Sequence, residues 1–172
     1  MASGDTLAVF VAQAGVPPGT IYATQDVIVG ASAPAEAVPV LDFDPTTREY
    51  IDFYGWLPNR YAAGGVTVTV VWSADAAAGN GVWTAAFRAI PDDLEDLDTT
   101  VFTYDYNTVT GAAPSIVGET SHDDITFTDG ADMDSVPANS HFILRVSRNA
   151  ADAADTIDAN DCSLHLVVIK ET

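Results

Sequence analysis

Residues 46–73, TTREYIDFYGWLPNRYAAGGVTVTVVWS, indicate the fold class of this chain. Residues 66–73 alternate an apolar side of valine and tryptophan with a partly polar side of threonine, valine and serine. This period of two is typical of a half-buried β-strand. Residues 48–54 predict a second strand, and residues 55–65 carry the proline and glycines of a turn-rich loop. We therefore expect a hairpin at the centre of an all-β domain.

The rest of the chain repeats this pattern more weakly. Strands are predicted at residues 6–11, 48–54, 66–73, 82–90, 100–109, 122–128, 140–147 and 162–170. The pair Asn80-Gly81 favours a hairpin turn, and residues 129–137 leave room for one helical turn. Short strands separated by Gly and Pro predict a sandwich or barrel, and connections too long for a meander favour a jelly roll. We predict a jelly-roll β-sandwich of about eight antiparallel strands.

Residues 1–45 differ in composition from the remainder. After the first strand, prolines and glycines recur among small residues, and proline removes hydrogen-bond donors from a sheet. We predict an extended N-terminal arm over residues 1–45 and a jelly-roll domain over residues 46–172. The arm covers a sheet edge of its own domain in one interpretation and reaches a neighbouring subunit in the other.

Charge excludes several classes of partner. The 25 acidic residues and six Lys and Arg give a formal net charge of −19. Binding to nucleic acid by phosphate neutralisation, or to an anionic membrane, is therefore not expected. No run approaches the ~18 apolar residues of a membrane span, and the N-terminus lacks the basic start of a signal peptide. We expect synthesis in the cytoplasm of the producing cell.

Residues with catalytic or metal-binding chemistry give no strong motif. Acidic residues gather in the loops 92–98 and 129–134, where carboxylates are candidate Ca²⁺ ligands, but neither has the EF-hand spacing. His122, His141 and His165 fall on three different predicted strands, and the single Cys162 begins the strand of His165, where we expect a small buried thiol. Nucleophile-elbow and phosphate-loop motifs are absent. We expect no enzymatic activity, no cofactor and no metal site.

The aromatic residues between positions 50 and 61 leave two interpretations open. An exposed row would suit a ligand platform, whereas buried rings would fill the core or an interface. We place Trp56 and Tyr61 in the connecting loop and expect both side chains to be exposed.

Several runs resemble a group of small acidic proteins encoded by tailed phages and prophages. These runs are VLDFD at 40–44, TTRE at 46–49, LP at 57–58 with Tyr61, GGVTVTVVW at 64–72, ITFTDGADMDS at 125–135, FILRVSR at 142–148, DAADT at 152–156 and the final ET at 171–172. The likeness covers nearly the whole chain from Leu7. It implies a jelly-roll module of capsid decoration or of tail fibres.

The function expected from that resemblance is a capsid decoration, or cement, protein on the outer surface of the virion. It would act as a homotrimer that contacts the major capsid protein and neighbouring copies of itself. The alternative is a receptor- or carbohydrate-binding module of a tail fibre or spike. The residues expected at an interface are Val9, Phe10, Val11, Pro17, Pro18, Ile21, Tyr22, Trp56, Asn59, Arg60 and Tyr61.

Overall fold

The computed structural model describes residues 4–157 and 159–172 of the chain. In this part of the chain it forms ten strands and two three-residue 3₁₀ helices, neither of which is long enough to cross a membrane. The strands are β1 (Thr6–Val11), β2 (Thr24–Val29), β3 (Ala37–Phe43), β4 (Glu49–Leu57), β5 (Val66–Ala74), β6 (Asn80–Ile90), β7 (Asn107–Ala112), β8 (Ser121–Phe127), β9 (Ser140–Arg148) and β10 (Cys162–Glu171). The 3₁₀ helices are Ala12–Ala14 and Ala131–Met133, the second at the helical turn that the sequence predicts.

The strands form two antiparallel sheets. The first has the order β2-β3-β10-β5-β8, and β1 also pairs with β10. One edge of β10 pairs with β5 along the whole strand. The other edge is shared: β3 pairs with its first residues, from Cys162, and β1 pairs with the residues that follow the bulge at His165. The second sheet has the order β4-β9-β6-β7. The fold is a jelly-roll β-sandwich, as predicted.

The core lies between the two sheets because each strand turns its apolar alternate residues inward. The largest fully buried apolar side chains include Trp72 and Trp83, whose rings lie 5.7 Å apart. Phe43 of the first sheet meets Trp83 of the second edge to face at 5.1 Å. A buried Phe or Leu contributes about 1.5–3 kcal/mol through burial alone, so this layer supplies the main stabilisation of the domain.

The hairpin predicted over residues 46–73 is wrong, although both of its strands exist. β4 pairs with β9 in the second sheet, and β5 pairs with β10 and β8 in the first. Residues 58–65 therefore cross from one sheet to the other, over the ~10 Å that separates packed sheets. The Asn80-Gly81 hairpin is wrong for the same reason, since these residues begin β6 in the sheet opposite β5. Local alternation locates a strand but does not choose its partner.

The N-terminal segment is joined to its own domain. β1, β2 and β3 are strands of the first sheet. Between β1 and β2, the chain follows the edge of β4: the Val16 and Asp52 backbones exchange hydrogen bonds of 2.8 and 3.0 Å, and the Ala23 N–H donates to the Tyr50 carbonyl at 3.2 Å. Of the two interpretations of the arm, the structure supports cover of a sheet edge in its own domain.

Candidate functional site: an aromatic row on the outer face of the second sheet

The outer face of the second sheet carries four rows of side chains across β4, β9 and β6. In order along the sheet, the rows are Trp56, His141 and Ile90; Tyr54, Ile143 and Arg88; Asp52, Arg145 and Ala86; and Tyr50, Ser147 and Thr84. Residues that face one another across an antiparallel pair lie on the same side of the sheet. The first two rows are therefore rich in aromatic and apolar groups, and the last two are polar.

The aromatic end of this face is open to solvent. Trp56 is 57% exposed and Tyr54 is 49% exposed, although both belong to a regular strand. The Tyr54 ring lies 6.2 Å from the His141 ring at an interplanar angle of 32°. The Trp56 indole N–H donates to Asn139 Oδ1 at 3.3 Å, which fixes the orientation of the ring. A large aromatic side chain held rigid and exposed is typical of a binding surface.

Polar residues surround this aromatic row and form a cleft, which we call the Trp56 cleft. Its volume is about 580 Å³, and it is lined by Trp56, Ile90, Pro91, Asp92, Asp93, Asn139, Ser140 and His141. Among the lining residues are carboxylate, amide, hydroxyl and imidazole groups, but no Lys or Arg. The cleft thus combines apolar ring faces with hydrogen-bonding groups, as ligand sites commonly do.

A long connection covers the polar end of the same face. Residues 91–106, which we call the strap, run between β6 and β7. Within the strap the Phe102 and Tyr104 rings lie 4.8 Å apart, and the Tyr104 and Tyr106 rings lie 6.0 Å apart. The sequence places these three rings on one side of a strand at residues 100–109, but regular pairing begins only at Asn107. The strand prediction is therefore wrong for residues 100–106, and its aromatic alternation is confirmed.

Each strap ring lies over an arginine that belongs to β6 or to β9 or that immediately precedes β4. The distances from the guanidinium carbon to the ring centroid are 5.1 Å for Arg88 and Phe102, 4.1 Å for Arg145 and Tyr104, and 4.4 Å for Arg48 and Tyr106. Cation–π contacts contribute about 0.5–2 kcal/mol each, depending on how far water is excluded. The strap therefore covers the polar rows. Its first residues, Pro91 to Asp93, form one wall of the Trp56 cleft.

Carboxylates neutralise two of the arginines under the strap. Arg145 donates two hydrogen bonds to Asp52, and Arg88 forms an ion pair with Glu95 of the strap. Burial alone would lower the pKa of Arg145, but its hydrogen bonds to Asp52 and the charge of Asp52 outweigh burial and raise it. Burial also raises the pKa of the Tyr104 and Tyr106 hydroxyls. Both tyrosines therefore stay uncharged at neutral pH. Arg48, the third arginine under the strap, donates to the neutral hydroxyls of Ser147 and Thr84.

The residues expected at an interface fall into separate groups. Trp56 is exposed as expected, but it lies in β4 and not in a loop. The expectation for Tyr61 is wrong: the side chain is 6% exposed, and its hydroxyl donates to Asp129 at 2.7 Å. Burial and the hydrogen bond to Asp129 raise the pKa of this hydroxyl. Asn59 and Arg60 are exposed, and the Arg60 guanidinium donates to the Thr6 carbonyl at 2.6 Å.

The residues of the N-terminal segment lie on other surfaces. Phe10 packs on Phe53 and Phe142, with ring centroids 5.4 and 6.4 Å away, and Pro18 is half-buried. The others are exposed: Val9, Val11, Pro17, Ile21 and Tyr22. None of these residues lines the Trp56 cleft. Sequence reasoning missed Tyr54, His141 and Asn139; period-two alternation could have placed Tyr54 beside Trp56, but the register that adds His141 is a tertiary property.

The other candidate chemistry is dispersed. Within residues 4–157 and 159–172, no three His, Cys, Asp or Glu side chains are grouped so as to hold a metal ion. His122, His141 and His165 lie on β8, β9 and β10. Cys162 is buried as predicted, and burial raises the pKa of its thiol to about 12. A thiol with this pKa is not a nucleophile at neutral pH.

Comparison with known proteins shows similarity in fold. No protein family and no curated protein matches the sequence. Among solved structures, the CBM22-1 xylan-binding domain of Paenibacillus barcinonensis Xyn10C is 12% identical, with a TM-score of 0.51 over 99% of this chain and 96% of that domain. The carbohydrate-binding module CBM36, solved with calcium and xylotriose, is 13% identical, with a TM-score of 0.45 over 94% of this chain and 98% of the module.

At these identities the similarity concerns the fold alone. It agrees with the jelly-roll sandwich that the phage resemblance implied. The xylan-binding domain is not a phage protein, so this similarity lends no support to the phage assignment.

Proposed function

We propose that this protein is a non-catalytic carbohydrate-binding module that holds a glycan chain on the Trp56 cleft. The observation that carries the proposal is the exposed pair Tyr54 and Trp56 on alternate positions of β4, beside His141. Alternate residues of a strand lie about 7 Å apart on one face. Two such rings offer stacking surfaces to successive sugar units, whose C–H faces are apolar. The fold similarity to a xylan-binding domain supports the same class of ligand.

The polar rim of the cleft matches the other side of a sugar ring. The hydroxyl groups of a sugar lie around its edge, where they donate to carboxylates and accept from N–H and O–H groups. Asp92 and Asp93 supply carboxylates, and Asn139 and Ser140 supply an amide and a hydroxyl. Stacking provides most of the affinity, and the rim sets the orientation.

Charge restricts the ligand to a neutral glycan. The cleft is lined by Asp92 and Asp93 without a compensating cation, and the chain as a whole carries −19. Uronic acids and sulfated sugars would meet like charge at close range. The nearby arginines do not relieve this repulsion, because Arg145 and Arg88 already pair with carboxylates under the strap.

The test is isothermal titration with neutral and acidic oligosaccharides of equal length, compared between the wild type and Trp56→Ala. We expect binding of a neutral oligosaccharide that weakens about 5- to 30-fold in Trp56→Ala, since one buried stacking contact contributes about 1–2 kcal/mol. Leu97→Ala, which truncates an exposed apolar residue outside the cleft, is the matched control. Equal affinity of the wild type and Trp56→Ala for every ligand that binds would reject the site.

Capsid decoration is a second candidate, and a different observation favours it. Nine large apolar side chains are exposed between residues 9 and 38, far more than a solvated surface requires. A cement protein needs such a surface to bind the capsid and its own neighbours. Mass spectrometry of purified particles checks this function: many copies per particle support a cement protein, a few support a tail-fibre module, and none rejects a virion role.

A further inference from the structure

The exposed apolar residues of the N-terminal segment converge on one sheet edge. Every residue of β2 is exposed, and Val27, Ile28 and Val29 follow one another along it. Val38 of the adjoining strand β3 is exposed beside them, opposite Ile28. β2 is the terminal strand of the first sheet, so its far side has no strand partner in the described chain. An apolar strand with one free edge can pair with another chain.

The hydrogen-bond pattern shows which backbone groups are free. In an antiparallel pair, bonded and non-bonded residue pairs alternate. The Gly30 N–H donates to the Glu36 carbonyl at 2.8 Å, which fixes the phase of the β2–β3 hairpin. Val27 then falls in a non-bonded pair opposite Pro39, a residue with no N–H to offer. The N–H and C=O groups of Gln25, Val27 and Val29 therefore point away from β3, toward the free edge.

The edges formed by β4, β7 and β8 are protected. Residues 16–23 hydrogen-bond to β4, the terminal strand of the second sheet. β8 carries His122, Asp123 and Asp124, and β7 lies against it at the side of the sandwich. Charges and covering segments are the usual means by which proteins protect sheet edges. On β2 only Asp26 is charged, and no segment of the described chain covers the strand.

The distribution of charge points to a second copy of this chain as the partner. Copies with a net charge of −19 repel one another, so they can meet only where charge is sparse. Residues 6–41 contain two of the 25 acidic residues, Asp26 and Glu36, and no Lys or Arg. This segment combines nine exposed large apolar side chains with only two charges. A basic partner would fit the acidic remainder of the chain instead.

We propose that β2 strands from two copies pair antiparallel about a two-fold axis, with Val27 opposite Val27 of the second copy. In this register Val27 exchanges two backbone hydrogen bonds with its equivalent, and Gln25 and Val29 continue the ladder on either side. Asp26 faces Ile28 of the other copy, so the two carboxylates do not face each other. The first sheets of both copies join into one sheet, an association that does not involve the Trp56 cleft.

Two-fold pairing closes at two copies. The homotrimer implied by the phage resemblance would require a different, head-to-tail contact. The oligomeric mass therefore distinguishes the two arrangements.

The test is sedimentation velocity of the full chain over a range of concentrations, at about 0.15 M and about 1 M NaCl, which differ in charge screening. We expect a concentration-dependent dimer that strengthens in high salt. Val27→Lys and Val27→Asp should each be monomeric, since like charges then face each other across the axis. An equimolar mixture of the two variants should recover the dimer, because Lys then faces Asp.

Two further variants separate the backbone contact from a folding defect. Val27→Pro removes an N–H that β3 does not use, so the fold should persist, as judged by circular dichroism, while the dimer is lost. Val27→Thr keeps the N–H and the branched shape, and should dimerise like the wild type. A wild type that is monomeric in high salt, a trimeric mass, or a dimer that persists in Val27→Pro would each overturn the proposal.

Discussion

Arg145 and Asp52 join the two strands that carry the candidate site. Two guanidinium nitrogens of Arg145 donate to the two carboxylate oxygens of Asp52, both at 2.7 Å. The residues are direct cross-strand partners on β9 and β4, and the Tyr104 ring covers the guanidinium. This ion pair therefore connects the edge strand of Trp56 to the strap, and the first prediction concerns its loss.

Asp52→Asn should destabilise the protein by about 1–3 kcal/mol, because it leaves a partly buried guanidinium with a weaker acceptor. Chemical denaturation followed by tryptophan fluorescence measures the change. Asp105→Asn makes the same change of charge on an exposed strap residue and should cost less than about 0.5 kcal/mol. Equal stabilities of the two variants would show that the Arg145 pair does not contribute.

Tyr104→Ala should loosen the strap without unfolding the sandwich. The variant removes a ring that lies 4.1 Å above Arg145. This ring also packs between the rings of Phe102 and Tyr106. The strap has no sheet pairing of its own, so its rings supply much of what holds it. We expect faster cleavage by endoproteinase Asp-N at the acidic residues 92–98, while the melting temperature changes little.

Val101→Ala is the matched control for this experiment. Val101 lies in the same strap and is 93% exposed, so its truncation should leave the cleavage rate unchanged. Cleavage at the wild-type rate in Tyr104→Ala would indicate that the strap is held by other contacts, such as the ion pair of Arg88 with Glu95.

The sequence contains enough information to locate most strands but not to pair them. The alternation of residues 66–73 correctly identifies the side of β5 that faces the core, because that pattern depends only on which residues point inward. The half-buried strand that it predicts is wrong, since Thr69, Val71 and Ser73 on the other side are buried as well. The alternation carries no information about which strand lies alongside. β4 and β5 therefore resemble a hairpin in sequence while they belong to opposite sheets.

The candidate site was only partly predictable for the same reason. Trp56 and Tyr61 are both predicted to be exposed because the sequence places both in the loop between two strands. In the structure, Tyr61 turns into the core to bind Asp129, whereas Tyr54 faces solvent. His141 is 85 positions away from Trp56 and reaches it through the β4–β9 register. Such long-range register has no signature in a single sequence.

Asp155→Ala should be among the most destabilising single substitutions in this protein. Arg148 is fully buried and donates two hydrogen bonds to Asp155, at 3.0 and 2.9 Å, and Asp155 also accepts the Val82 N–H at 3.0 Å. Removing the carboxylate leaves a buried charge without its counter-ion, which costs about 3–5 kcal/mol. The free energy of unfolding in urea measures the loss.

The control for Asp155→Ala is Asp75→Ala, which removes an exposed carboxylate near the same end of the sandwich. In a chain of net charge −19 this control should be neutral or slightly stabilising. A loss below about 1 kcal/mol in Asp155→Ala would show that water or a rearranged loop replaces the carboxylate.

The protein should become more stable as the pH falls from 7 toward about 5, because four carboxylates crowd one surface pit. This pit is lined by Thr24, Asp42, Phe43, Asp44, Glu49 and Asp161. Burial, followed by nearby negative charge, raises the pKa of Asp42, Glu49 and Asp161. A carboxyl whose pKa is higher in the folded than in the unfolded protein binds its proton more tightly when folded. Its contribution to stability is complete when the pH is below its pKa in the unfolded protein. That contribution is lost as the pH rises through its pKa in the folded protein. Asp44 has the opposite effect, because hydrogen bonds from Thr46 lower its pKa. Its carboxylate stabilises the fold at neutral pH, and this stabilisation is lost only at a more acidic pH than the range considered.

Melting temperature as a function of pH, recorded at about 1 M NaCl to screen distant charges, isolates this pit. Each kcal/mol gained should raise the melting temperature by about 2–4 °C for a chain of this size.

Asp161→Asn should raise the melting temperature at pH 7 and flatten its dependence on pH. The variant removes one carboxyl with a raised pKa and the repulsion that it exerts on Asp42 and Glu49. Asp105→Asn alters the net charge equally but lies outside the pit, and should leave the slope unchanged. A melting temperature that falls between pH 7 and 5, or equal slopes in the two variants, would mean that the pit does not govern the pH response.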